Sequence, residues 1–168
     1  MLKKILLAVV MALPFSALAQ KFGVVDFDAV LQAMPETAAM QTQLTETSKK
    51  YEDELAKLTE EFQKLYTEFQ TLQADANTPE SIKERRMQEI QERHAKIEQF
   101  SNTAQQDLQR LQQTLATPIV QKVQDAVKAV GAEGAYTMVF PNAPDLLLYT
   151  GTGVEDITPQ VRAKLGLK

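Results

Sequence analysis

The sequence has no cysteine, no tryptophan, one histidine and six glycines in 168 residues. Without cysteine there is no disulfide or thiolate zinc site to staple a small core, so stability has to come from helix packing or assembly. His94 stands alone, with no carboxylate cluster at ligand spacing, which argues against a metal centre and for a polar residue set into a helical seam. Glycine-rich phosphate loops, nucleophile elbows and zinc-protease helices are also absent, so the chain offers no catalytic residue and implies no cofactor and no enzyme. Asp26 lies in a predicted strand with no second acid or base near it in sequence, and a structural hydrogen bond to backbone accounts for it better than catalysis.

Apolar runs are scarce as well. The longest, Ile5 to Phe15, follows Met1-Leu2-Lys3-Lys4 and precedes Ser16-Ala17-Leu18-Ala19, the order of a secretory signal. Residues 1–19 are therefore predicted to be removed by cleavage between Ala19 and Gln20, and the run falls short of the ~20 apolar residues that span a bilayer. No later stretch is long enough either, so a soluble exported protein without stable membrane insertion is expected. Losing Lys3 and Lys4 from 18 basic residues against 22 acidic ones leaves a net charge of about −6, unsuited to nucleic acid.

What the chain does have is Gln, Glu, Lys and Leu, the composition of long helices. From Tyr51 the apolar residues Leu55, Leu58, Phe62, Leu65, Phe69 and Leu72 alternate spacings of four and three, a heptad seam. Asp75-Ala76-Asn77 interrupts it, and Thr78-Pro79-Glu80 offers an N-cap hydroxyl followed by a proline at the first helical position. A second, more dilute seam runs through Met87, Ile90, His94, Ile97, Ser101, Ala104, Leu108, Leu111 and Leu115. Pro118 is expected to bend or interrupt that helix, and Gly131 and Gly134 to end it. Helices of about 60 and 80 Å follow from the lengths Glu36 to Ala74 and Pro79 to Val130. Packed antiparallel about a turn near Ala76 and Asn77, they pair Phe69 with Met87, Leu65 with Ile90, Phe62 with His94, Leu58 with Ile97, Leu55 with Ser101, Tyr51 with Ala104 and Leu44 with Leu111. Charge pairing between the arms is the plain reading of Lys83, Arg85, Arg86, Arg93 and Lys96 opposite Glu60, Glu61, Glu68 and Asp75; a basic tip that faces a partner is the sharper one.

Strands are predicted at Phe22 to Phe27, Tyr136 to Phe140 and Leu146 to Tyr149, with Pro141 to Asp145 as the turn between the last two and Thr158-Pro159 capping a short final helix. The fold class is α+β and mostly helical: a signal at 1–19, a β body from 20–35 and 118–168, and a helical hairpin arm at 36–117. So few strands make a poor core alone, which points to burial of Val24, Val139, Phe140, Leu147 and Leu148 in a body shared between subunits. Tyr66 and Phe100 are aromatics outside the seam and are candidates for contact with a partner.

The opening Lys21-Phe22-Gly23-Val24-Val25-Asp26-Phe27 with Val30-Leu31 and Pro35-Glu36 resembles that of the Skp/OmpH periplasmic chaperones. The closing Tyr136, Val139-Phe140, Leu148-Tyr149, Asp156-Ile157-Thr158 and Val161 is similar to theirs too. The resemblance implies a periplasmic homotrimer whose hairpins hang from a shared β body and hold unfolded outer-membrane proteins without nucleotide. It brings no catalytic residues. The best-known members are strongly basic, whereas this chain carries a net charge of −4, so either apolar contact matters more here or the clients differ. A structural or adaptor coiled coil of the cell envelope is the alternative that heptads alone would permit, and the β flanks distinguish the two.

Overall fold

The computed structural model describes residues 20–143 and 145–167; the signal and its cleavage at Ala19 lie outside them. In chain order come β1 (Phe22–Val25), α1 (Phe27–Ala33), α2 (Pro35–Ala74), α3 (Glu80–Glu133), β2 (Met138–Pro141), β3 (Val154–Asp156) and α4 (Thr158–Lys164). The architecture is mostly helical α+β, and the described residues divide into two compact units, one of residues 34–120 and one of those on either side of it.

In the unit holding the sheet, β1 is central and parallel to both neighbours, in the order β2-β1-β3. Parallel pairs need long crossovers, and the intervening helices supply them. A strand with neighbours on both sides reads as a continuous apolar run, and Gly23, Val24 and Val25 are all buried. Pro141, which has no N–H to donate, ends an edge strand, where its loss costs no ladder bond. Val30, Val123, Ile157 and Val161 are fully enclosed. This unit therefore has a core of its own: three strands alone make a poor one, and α1, α3 and α4 complete what the sheet cannot.

Other expectations need correction. Asp26 and Phe27 leave the strand: Asp26 Oδ1 accepts the Ala29 N–H at 2.8 Å and so caps α1, the structural role expected of it. Leu146 to Tyr149 is not a strand. Its first residues fold as a turn on the Ala143 carbonyl, and the third strand lies further on, at Val154–Asp156. A short apolar run does not by itself distinguish a strand from an exposed turn. At α4 the N-cap is Ile157, not Thr158; the Thr158 hydroxyl accepts the Asp26 N–H at 2.8 Å and donates to Asp156.

Helix α3 runs through Pro118 without interruption. It also continues past Gly131 to Glu133, where Tyr136 N–H reaches the Gly131 carbonyl and Ala135 N–H that of Ala132. That pair of bonds is a Schellman closure, whose left-handed position usually holds glycine. Here it is Ala135, with φ of 51°. Gly134 is needed for a different reason: a Cβ there would lie 2.2 Å from the Tyr136 ring.

The unit of residues 34–120 is an antiparallel pair formed by α2 and the first part of α3. Asp75 organises the turn: its carboxylate accepts the Asn77 N–H at 2.9 Å and the Thr78 hydroxyl at 3.0 Å. Thr78 thus braces the turn instead of capping α3. The Asn77 bond, followed by that from Thr78, holds the Asp75 carboxyl below its usual value.

Candidate functional site

Within the hairpin three of the layers that the heptads pair come together. Phe62 lies against His94 with ring centroids 5.9 Å apart, and two ion pairs cross between the helices near that layer, Arg93 to Glu61 at 3.0 Å and Arg86 to Glu68 at 3.9 Å. Phe69 and Met87 line one groove. Leu55 and Ser101 line another of about 520 Å³, with Thr59, Ile97, Glu98 and Asn102. Small residues opposite large ones leave that layer open, and a gap costs the dispersion contacts that a full layer would make. Only Phe69, Ile90 and Ala104 of the seam are buried.

Charge pairing accounts for part of the basic cluster. Arg86 and Arg93 bridge the arms, whereas Arg85 pairs with Glu89 on its own helix. These pairs are open to solvent on at least one side and contribute about 0–1 kcal/mol each. His94 stands 3.8 Å from Glu98 on the same helix.

The two candidate aromatics differ. Tyr66 is 45% exposed and stacks on Phe62 at 6.3 Å. Phe100 is half-buried, edge-on to Tyr51 at 5.9 Å, while the Tyr51 hydroxyl donates to Asp107 at 3.1 Å, which raises the Tyr51 pKa. Phe100 and Asp107 flank Ala104, the residue expected opposite Tyr51. Phe100 therefore joins the hairpin packing, and Tyr66 offers more of its ring to solvent.

In the sheet unit Val24 is buried within the chain's own core, Val139 and Leu147 are half-buried, and Phe140 and Leu148 are exposed, Leu148 at 95%. Leu146 and Tyr149 are exposed as well. A cavity of about 390 Å³ lies in this unit, lined by residues including Val25, Phe27, Val127, Val139 and Leu146.

Sequence reasoning missed a cluster around Tyr136. The ring is close enough to Gly23 that a Cβ there would sit 3.2 Å away, Lys21 Nζ lies 4.0 Å from its centroid, and Lys21 bridges to Glu155 at 2.9 Å. Hydrogen bonds from Lys21 and then Tyr136 hold the Glu155 carboxyl below its usual value. Gly23 and Gly134 on either side of one tyrosine were the available signal. No His, Cys, Asp and Glu group among the described residues has the geometry to hold a metal ion, and none of their helices is long and apolar enough to cross a membrane.

A long heptad hairpin that follows the first strand of a small parallel sheet and precedes its other two defines a narrow class of protein. The chain matches the family described as outer membrane protein (OmpH-like) over residues 21–165, and it belongs to that family. The Skp/OmpH resemblance of the two flanks is thereby confirmed. Members are periplasmic chaperones of outer-membrane proteins rather than enzymes. A comparison with curated proteins gives no significant match.

Proposed function

We propose that this protein is an ATP-independent periplasmic holdase that binds unfolded outer-membrane proteins and keeps them from aggregating in transit. Membership of the OmpH-like family across residues 21–165 carries the reading. The physics agrees with it: unpaired strands of a barrel precursor aggregate through their edges, and long helices with little fixed shape can cover such chains without matching a particular one.

The reading includes export by residues 1–19, cleavage between Ala19 and Gln20, and a homotrimer whose shared body comprises 20–35 and 118–168 while 36–117 forms each arm. The exposed Phe140, Leu146, Leu148 and Tyr149 support assembly, because several large apolar side chains left in solvent favour a covering partner. With Val24 enclosed in its own chain, the contacts between copies fall to Val139, Phe140, Leu147 and Leu148. Tyr66, and to a smaller degree Phe100, touch the client.

The test is to dilute a urea-unfolded outer-membrane barrel protein into buffer with purified residues 20–168 and no nucleotide. Light scattering should stay low at one trimer per client; scattering as high as in buffer alone would overturn the reading. Sedimentation should give the trimer mass. Moderate salt should leave client affinity unchanged or raise it, since screening weakens repulsion between an acidic chaperone and an acidic barrel.

A further inference from the structure

The two hairpin helices contain ten threonines, unusual for a residue of modest helix propensity. Eight of them, Thr42, Thr45, Thr47, Thr59, Thr67, Thr71, Thr103 and Thr117, donate their hydroxyl to the carbonyl four residues earlier, at 2.7–3.1 Å. A hydroxyl committed in this way has no proton left to donate to a partner, and beside an oxygen that can only accept, each side chain presents its γ-methyl. Large exposed apolar side chains are confined to one end of the hairpin: among the described arm residues they are Tyr66, Ile82 and Met87. From Pro35 to Leu65, and from Gln88 to Val120, none is exposed.

We propose that the γ-methyl groups of these helix-bonded threonines are the distributed contact surface along the arm for the apolar side chains of an unfolded outer-membrane β-barrel chain. The proposal rests on the holdase reading above and says how the grip is made. A bare helix surface rich in Gln and Glu gives an apolar chain little to hold. Hydroxyls free to donate would bond to the client's backbone and fix one geometry. Methyls give contact without direction, each weak, so that clients of different sequence are held and released alike.

Six of these threonines, 42, 45, 67, 71, 103 and 117, are exposed. Two variants of the full mature chain separate methyl from hydroxyl. Thr→Ser at all six keeps the hydroxyl and removes the methyl; Thr→Val keeps the methyl and removes the hydroxyl. The three residues have similar helix propensities, so helicity by circular dichroism should match the parent. Affinity for a fluorescently labelled, urea-unfolded outer-membrane barrel protein should fall about tenfold in the serine variant, a fraction of the full burial of six methyls, and be equal or tighter in the valine variant. Should the sixfold serine variant lose helicity, Thr67→Ser with Thr71→Ser alone should weaken binding by about twofold. Parental affinity in the folded serine variants, or weakened binding in the valine variant, would overturn the proposal while leaving the holdase reading intact. Failure of the unsubstituted protein to bind the barrel would overturn both.

Discussion

The sheet unit and the hairpin are stable for different reasons. Around β1, four aliphatic side chains are wholly enclosed, and each lies on a different element or strand end. In the hairpin, the 40-residue α2 and the first part of the 54-residue α3 share a seam one side chain wide, and few of its members are buried. A dense core makes many residues depend on one another, whereas a two-helix seam is a row of nearly independent layers. The first suits a fixed platform and the second a surface that yields to what it holds.

The contrast is sharpest for substitutions that remove apolar volume. Ile157→Ala should destabilise the sheet unit by about 3 kcal/mol, the usual range for emptying an enclosed aliphatic site. Leu58→Ala, at a half-buried seam layer, should cost about 1 kcal/mol and be felt within a turn or two. Urea denaturation at fixed protein concentration gives the first value, and hydrogen exchange along α2 and α3 shows the reach of the second. Equal losses at the two sites would remove the distinction.

The close of α3 gives a pair of opposite expectations. Gly134→Ala drives a Cβ into the Tyr136 ring, and because Gly23 crowds the other contacts of that ring, the cost should be about 1–3 kcal/mol. Ala135→Gly instead relieves a left-handed alanine and should stabilise by about 1 kcal/mol. Thermal unfolding reads both signs.

In the hairpin, Ser101→Leu fills the open layer beside Leu55. It should raise stability by about 1 kcal/mol and slow amide exchange from Leu55 to Ile97. A stiffer arm should also hold the range of clients less evenly.

How much of this was legible depended on whether a pattern repeats. Seven seam residues at alternating spacing determine the helix, its partner face and the register together, so the contact of Phe62 with His94 followed from the sequence. The sheet has no such redundancy. The run of Leu146 to Tyr149 has more strand character than Val154-Glu155-Asp156, yet the latter pairs with β1, because tertiary context outweighs propensity in a three-residue strand. Threonine hydroxyls and the Tyr136 cluster depend on rotamers and on residues more than a hundred positions apart, which no local pattern encodes.

The smallest expected effect lies at that cluster. Lys21 and Tyr136 lower the Glu155 pKa from 4.5, so this group adds stability only above its unfolded value and loses it as pH falls through the lower folded one. The carboxylate is exposed to solvent, and the contribution is correspondingly slight. Tyr136→Phe removes one of the two hydrogen bonds while keeping the ring against Gly23 and Gly134. Glu155 should then titrate higher, still below 4.5 because the Lys21 bond, the larger cause, remains. Carboxyl-carbon NMR titration of both proteins measures the shift. If Glu155 in the phenylalanine variant titrates where it does in the parent, the hydroxyl is not a partner of Glu155, and Tyr136 serves this end of the sheet only as a ring.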